Sequence, residues 1–107
     1  MKIAMIGGGS VGQTLGAKFL ANGYNVMIGV RDVSAADLGK PRDNAETLLA
    51  WQTRTGGSVG TMAQAAAHGD IVFNVTAGQA SLAALDLAGA QNIAGKVLID
   101  VANALDF

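Results

Sequence analysis

Three glycines near the start of the chain have the types and spacing needed to hold a phosphorylated ligand. Gly7, Gly9 and Gly12 form the pattern G-x-G-x-x-G directly after an apolar run of strand length. In such a turn the first glycine makes the bend, the second lets the backbone approach a pyrophosphate, and the third lets a helix pack against the strand. Free N–H groups at the start of that helix would hold the phosphates. The pattern therefore predicts dinucleotide binding, and the alternative is a glycine turn without a ligand.

The residues between and after these glycines are interpreted from their positions in the turn. Ser10 is interpreted as the N-cap of the helix and as a phosphate contact, and Val11 as the start of the helix at the same site. Ser10 is not interpreted as a nucleophile, because no histidine base can be assigned to it. No Gly-Lys-Ser/Thr follows the glycines, which excludes a Walker A loop. Gly8 is the least determined glycine, and we expect it to tolerate replacement.

The end of the second predicted strand indicates which dinucleotide binds. A carboxylate there would hydrogen-bond the ribose 2′-hydroxyl of NAD, but the chain has Gly29 and, two residues later, Arg31. Arginine can hold a 2′-phosphate through two parallel bonds, so the sequence favours NADP over NAD. Two alternatives remain: Asp32 pairs with Arg31 or approaches the ribose, or Arg31 is a solvated loop charge. Lys40 and Arg42, in the next loop, are interpreted as solvated, with an added positive field at the site as the alternative.

Strands and helices that alternate along the chain must position these residues. The periodicity predicts strands over 2–6, 25–28, 58–60, 70–75 and 96–101, and helices over 11–22, 44–54, 62–67 and 79–90. Residues 31–43 are predicted to form a loop. Such alternation implies βαβ units and a parallel sheet with helices on both faces. Right-handed crossovers then favour an α/β fold, a Rossmann-like doubly wound sheet of about five strands in the order 3-2-1-4-5.

Composition limits the class of protein. The 107 residues suffice for one domain, and half of them are hydrophobic, which suggests strands buried on both faces. The chain has no cysteine and no secretory signal, so a reducing cytoplasm is the expected location. A net charge of −1 without a basic stripe argues against nucleic-acid binding. No apolar run reaches the roughly 20 residues of a membrane helix, so we expect no membrane partner.

The fifth predicted strand lies close to the last residue of the sequence. Rossmann domains usually have a sixth strand, and their enzymes usually have a second domain. We therefore interpret residues 1–107 as a dinucleotide-binding domain without its substrate or dimerisation domain. The run Val97-Leu98-Ile99 would form an exposed strand edge, which invites pairing, so a homodimer is a further expectation.

Three segments together resemble one known family, the NADP oxidoreductases that work with the deazaflavin coenzyme F-420. They are the glycine turn, the Gly29-Val30-Arg31 turn, and residues 99–105, which read Ile-Asp-Val-Ala-Asn-Ala-Leu. The resemblance spans the chain and implies hydride transfer between NADP(H) and a deazaflavin-type or other small acceptor. The chain departs from the pattern of this family at two positions. Val30 replaces a serine that would help bind the 2′-phosphate, and Ala104 replaces a proline beside Asn103.

The same resemblance implies that the turns after the fourth and fifth strands line the nicotinamide end of the cofactor. Thr76 and Asn103 are expected to hydrogen-bond its ribose or carboxamide there. A helix cap or turn is the alternative role for Thr76, and a local turn bond is the alternative for Asn103. Asp100 lies within the fifth strand and is interpreted as structural, with a bond to nearby backbone.

The sequence offers no catalytic acid–base pair and no set of metal ligands. His68 is the only histidine, and we expect it either to complement the dipole of a helix end or to be solvated. Leu48 and Trp51 are interpreted as helix packing. Hydride transfer between two bound cofactors needs mainly positioning, so an oxidoreductase domain remains the first interpretation. The alternatives are a nucleotide-sensing or regulatory module without chemistry, and a scaffold used for assembly.

Overall fold

The strands of the protein form one parallel sheet with β1 at its centre. The structure, a computed structural model, describes residues 1–42, 45–76 and 81–101. The strands are β1 (Lys2–Ile6), β2 (Asn25–Val30), β3 (Ser58–Thr61), β4 (Ile71–Asn74) and β5 (Val97–Asp100). They lie in the order β3-β2-β1-β4-β5, and each neighbouring pair is parallel. The predicted doubly wound, Rossmann-like fold is confirmed.

Helices cover both faces of this sheet. They are α1 (Ser10–Ala21), α2 (Ala35–Leu38), α3 (Leu48–Thr55), α4 (Met62–His68), α5 (Ser81–Ala88) and α6 (Ala90–Ile93). Side chains of α1 and α3 pack on one face of the sheet, and those of α4, α5 and α6 pack on the other. The carboxyl ends of β1, β2 and β4 therefore meet at one edge, which is where open α/β sheets bind ligands.

Trp51 is the centre of the core on the first face. Its side chain is fully buried, as is that of Leu48, which confirms that both residues pack rather than bind. The indole Nε1 donates to the Gln13 carbonyl at 3.0 Å, and α3 is thereby bonded to α1. A Cβ at Gly16 would lie 3.0 Å from the indole ring, so α1 approaches Trp51 at the residue where it has no side chain.

Small residues bring the helices of the second face close to the sheet. Ala65, Ala66 and Ala84 are buried there against β1 and β4. A Cβ at Gly29 would lie 2.8 Å from the Ala65 Cβ and 2.9 Å from the Met62 Cα. Gly29 is therefore required by the packing of α4 on β2, a contact between residues far apart in the sequence.

Some element boundaries differ from the predicted ones. Strand β2 continues to Val30, two residues beyond its predicted end, because Val30 pairs with Thr61 in β3. Helix α3 begins at Leu48, not at residue 44, because the Thr47 hydroxyl caps it by accepting from the Ala50 N–H at 3.1 Å. Capping side chains decide where a helix starts.

Two further boundaries were also set by local caps and turns. The predicted loop over 31–43 contains the single turn α2, whose N-terminus is capped by the Ser34 hydroxyl. The helix predicted over 79–90 ends at Ala88 instead. Gly89 has φ +89°, a conformation that interrupts a helix, and the short α6 follows it.

Strand β5 lies at an edge of the sheet, as the sequence predicts. Val97, Leu98 and Ile99 are between 39 and 58% exposed. Lys96 Nζ, just before the strand, donates to the Ala66 and Ala67 carbonyls at the end of α4. Pairing of this edge with a second copy stays a prediction. None of the helices in the described part of the chain is long and apolar enough to cross a membrane.

His68 lies in the last turn of α4, where its sequence position predicts it. Its Nε2 is 3.1 Å from Asn25 Oδ1. Burial lowers the pKa of His68, the charges of Lys2 and Lys96 lower it further, and Asp70 opposes them. Burial and neighbouring cations both disfavour the imidazolium, so the folded protein holds this ring neutral more readily than the unfolded chain does.

The free energy of unfolding should therefore fall as the pH drops through the unperturbed histidine pKa of 6.5. Below that pH the unfolded state binds more protons than the native state, and stability rises with pH through this window. His68→Gln should flatten the dependence between about pH 5 and pH 7 in urea denaturation. An equally steep dependence in the variant would contradict this account.

Candidate dinucleotide-binding site

The glycine turn connects β1 to α1 at the carboxyl end of the central strand. Gly7 has φ +126°, which residues with side chains rarely adopt. Its N–H donates to the Gly29 carbonyl at 3.0 Å, which extends the pairing of β1 with β2. A Cβ at Gly7 would also lie 3.1 Å from the Val75 carbonyl oxygen. Both conformation and space therefore require glycine at position 7.

Gly12 brings the first turn of α1 against this glycine turn. A Cβ at Gly12 would overlap the carbonyl oxygen of Gly7 and would lie 3.1 Å from a methyl group of Val75. Only hydrogen fits between the helix and the turn. The N-terminus of α1 is thereby fixed at the end of β1.

Gly9 differs from its neighbours because nothing in the described protein requires it to be glycine. Its φ of −84° suits any residue. Apart from its two chain neighbours, no described residue has an atom within 4 Å of a Cβ built at this position, so the side chain would enter open space. A requirement for glycine here would have to come from a ligand at the turn.

The structure corrects the assignment of Ser10. Helix α1 begins at Ser10, and Gly9 is its N-cap; the Gly9 carbonyl accepts from the Gln13 N–H at 3.0 Å. Ser10 is exposed, whereas Val11 is half-buried and packs on the core of the first face. No side chain caps the helix, and its first turn has no acidic residue. The first N–H groups of α1 are therefore available to an anion.

The expectation that Gly8 tolerates replacement is wrong. A Cβ at Gly8 would lie 2.9 Å from Val30 Cγ1 and 3.1 Å from Leu48 Cδ1. Both of these side chains are buried and have little room to move. Gly8 therefore lets the turn lie directly against β2 and α3.

Gln13 is a structural residue of this site that the sequence analysis missed. Its side chain is buried, and Nε2 donates to the Gly8 carbonyl at 3.1 Å and to the Glu46 carbonyl at 2.8 Å. Gln13 thus bonds the glycine turn to the segment before α3. The sequence feature that could have identified Gln13 is an amide side chain on the apolar face of a helix, next to Gly12 and Gly16.

A cavity of about 400 Å³ extends from the glycine turn to the end of β2. Because β2 ends at Val30, Arg31 is the first residue beyond the strand and lies at the cavity. A more apolar cavity of about 240 Å³ adjoins it and shares part of its wall. The first cavity is lined by Gly7, Gly8, Val30, Arg31, Asp32, Asp37, Arg42 and Met62.

Asp32, one of the two carboxylates that line the cavity, is bonded within its own turn. Asp32 Oδ1 accepts from the Ser34 N–H at 2.8 Å. This bond, assisted by the Ser34 hydroxyl and the charge of Lys40, lowers the pKa of Asp32. Among the residues that the structure describes, no ion pair joins Asp32 to Arg31. Asp32 therefore stabilises its own turn, and the guanidinium of Arg31 is available to a ligand.

The structure also corrects the interpretation of Arg42 as solvated. Its side chain is 27% exposed, lines the cavity, and lies 3.7 Å from Asp37 as an ion pair. Lys40 is exposed, as expected. The other ion pair in the described ranges joins Arg54 to Glu46, neither of which lines this cavity.

Thr76 lies where the fourth strand meets the glycine turn. Its hydroxyl donates to Asn74 Oδ1 at 2.7 Å, and both residues are buried. Asn74 Nδ2 faces Asp100 Oδ1 at 3.4 Å, which ties the end of β4 to the end of β5. Asp100 therefore has a structural role, as predicted. The bond described here joins it to the side chain of Asn74, whereas the expectation was a bond to nearby backbone. Asn103 lies outside the described residues.

The structure thus brings most of the proposed cofactor contacts to one edge of the sheet. Gly7 and Arg31 line one cavity. The backbone nitrogen of Thr76 lies close to Gly7, 3.3 Å from the point where a Cβ on that residue would be. No group of three or more potential metal-ligating side chains lies together within the described ranges.

Gly8→Ala and Gly9→Ala form a matched pair that tests this geometry. We expect Gly8→Ala to lower the free energy of unfolding by about 1–3 kcal/mol, because the new methyl group overpacks a buried contact. Gly9→Ala should change it by less than about 1 kcal/mol, since the methyl group enters open space. Urea denaturation measures both, and equal losses would contradict the steric assignment.

Comparison with known proteins gives the family. A family model described as NADP oxidoreductase, coenzyme F420-dependent, matches residues 2–104. The chain is 38% identical to a proposed F420-dependent NADP reductase from Arthrobacter sp. FB24, with a TM-score of 0.84. That similarity covers 94% of this chain and 44% of the Arthrobacter chain, so this chain spans less than half of its length. A search of curated proteins found no match. The chain belongs to the family of coenzyme F420-dependent NADP oxidoreductases.

Proposed function

We propose that this chain binds NADP(H) as the dinucleotide-binding domain of an oxidoreductase. The observation that carries the proposal is the cavity that joins the glycine turn to Arg31. Its two ends offer what NADP needs: bare backbone for the pyrophosphate, and a guanidinium for the 2′-phosphate. Family membership supports the same cofactor.

The first end of the cavity fits a pyrophosphate. Gly9 leaves open space at the N-terminus of α1, and the first turn of that helix has neither a capping side chain nor a carboxylate. The positive end of the helix dipole favours a negative group there. The pyrophosphate would accept hydrogen bonds from the N–H groups of Gly9, Ser10 and Val11.

The second end fits a 2′-phosphate better than an unmodified ribose. The residues at the end of β2, Gly29, Val30 and Arg31, include no carboxylate to bond a 2′-hydroxyl. The nearest carboxylate, Asp32, lies two residues beyond the end of the strand, and its Oδ1 accepts from the Ser34 N–H. Val30 is buried beside Gly8 and offers no hydroxyl, so Arg31 supplies the contact at this point.

For the reaction we propose hydride transfer between the nicotinamide and a deazaflavin-type acceptor, with another small acceptor as the alternative. The bound nicotinamide supplies the hydride chemistry, and this chain orients it. Thr76 lies beside the glycine turn, in position to approach the nicotinamide ribose; its hydroxyl proton is already donated to Asn74, so the oxygen would act as acceptor. Asn103 is proposed as a second contact on sequence alone.

Arg31→Ala tests the choice of cofactor. We expect NADP affinity to fall roughly tenfold or more, because one charge-assisted contact contributes about 1.5–3 kcal/mol. NAD affinity should change less than about twofold, since NAD has no 2′-phosphate. Calorimetric titration of both dinucleotides gives the ratio, and Lys18→Ala, an exposed cation in the last turn of α1, is the control. An unchanged ratio would overturn the role of Arg31.

Gly9→Ala tests the pyrophosphate contact. The added methyl group should weaken NADP and NAD together, by roughly tenfold or more, because both share the pyrophosphate. The denaturation midpoint reports whether the fold is intact in the same sample. Undiminished binding of both dinucleotides would refute the contact.

Oxidation of NADPH separates the enzyme from a nucleotide-sensing module. The purified chain would be mixed with NADPH and oxidised deazaflavin coenzyme, and with a panel of other small acceptors. Loss of NADPH absorbance supports the proposed reaction. Tight NADPH binding without turnover of any acceptor would leave two candidates for this chain, the sensing module and a binding domain that needs a substrate domain for turnover.

A further inference from the structure

Arg42 reaches the cavity from a different segment than Arg31. It follows Pro41, and its backbone forms an isolated bridge with Ala45. Its Nε is buried and has no hydrogen-bond partner in the described structure. A buried donor without an acceptor is unfavourable, so a shift of the Arg42 side chain that gives this nitrogen an acceptor would be favoured.

The contact that holds Arg42 is weak. Its Nη2 is 3.7 Å from Asp37 Oδ2, whereas charge-assisted N–H···O bonds measure about 2.7–2.9 Å. Each side chain is 27% exposed, and ion pairs accessible to water contribute little to stability. A ligand with more negative charge can therefore displace Asp37 as the partner of Arg42.

The two ends of this ion pair should act on a phosphate in opposite directions. A phosphate monoester carries about −1.5 to −2 charges at neutral pH, which two guanidinium groups, Arg31 and Arg42, can balance. Asp37 competes for Arg42 and repels the same phosphate. Asp32 also lines the cavity and keeps its negative charge, which repels the phosphate equally whether or not Arg42 or Asp37 is replaced.

We propose that Arg42 is a second residue that determines specificity for NADP over NAD. Asp37 holds its guanidinium loosely in the absence of cofactor, and the 2′-phosphate takes over that guanidinium. NAD lacks the phosphate and leaves the ion pair in place. This proposal rests on the proposed function, since it takes the cavity to be the dinucleotide site.

The experiment compares the affinities of NADP and NAD by calorimetry for the full chain and four variants. Arg42→Ala should lower NADP affinity about five- to tenfold and leave NAD within about twofold. Arg42→Lys should restore part of the loss, because it keeps the charge and loses the planar fork and Nε. Lys18→Ala removes the same charge from an exposed residue in the last turn of α1, outside the cavity lining, and should change either affinity less than about twofold.

Asp37→Asn provides the readout that a merely structural ion pair would not give. It breaks the same pair as Arg42→Ala, but it should raise NADP affinity about two- to fivefold, because it removes a competitor and a repelling charge. It should leave NAD affinity unchanged. Opposite shifts from the two ends of one ion pair support the proposal.

Two outcomes overturn it, and they can be told apart from failure of the proposed function. The first outcome is that Arg42→Ala and Asp37→Asn shift NADP affinity in the same direction, or leave the ratio of NADP to NAD affinity unchanged while Arg31→Ala lowers that ratio. Arg42 then has no part in specificity, and the cofactor assignment stands. If the unaltered chain binds neither dinucleotide, the proposed function fails and this proposal fails with it. Should Arg42→Ala not fold, Arg42→Lys and Asp37→Asn decide the question.

Discussion

The close approach of α1 to the glycine turn is the constraint on which the rest of the site depends. Gly12 lies so near the Gly7 carbonyl that a methyl group would overlap it. This contact sets the distance between the helix N-terminus and the end of β1. The unbonded N–H groups of the helix are thereby brought to the carboxyl edge of the sheet, where the cavity begins. If the N-terminus of α1 lay farther from the end of β1, the same residues would be present, but they would no longer form a position for the phosphate.

Packing transmits this constraint to elements far away in the sequence. Trp51 bonds α3 to the backbone of Gln13, and the Gln13 side chain bonds both Gly8 and the segment that leads into α3. On the other face, Gly29 lets α4 lie directly on β2. Each interaction joins a residue of the turn, or of the strand beside it, to a helix that covers the sheet. The site is therefore held by the two cores rather than by its own loop.

The sequence predicts those parts of the fold and site that depend on local pattern. Alternating strands and helices predict the sheet and its order, and the glycine spacing predicts the turn. Gly8 and Arg42 were interpreted wrongly because their environments come from residues distant in the chain: Leu48 restricts the first, and the cavity wall around Asp37 encloses the second. Periodicity contains no information about such contacts. The end of β2 was likewise set by pairing with β3, which a single strand cannot reveal.

Trp51 has a consequence for how the protein can be observed. It is the only tryptophan of the chain, and its ring is fully buried. The indole N–H is bonded to Gln13, whose side chain in turn holds the glycine turn. All intrinsic tryptophan fluorescence therefore originates at one site, two hydrogen bonds away from Gly8. The emission of the unlabelled protein is a local optical probe, sensitive both to loss of the core and to displacement of the turn.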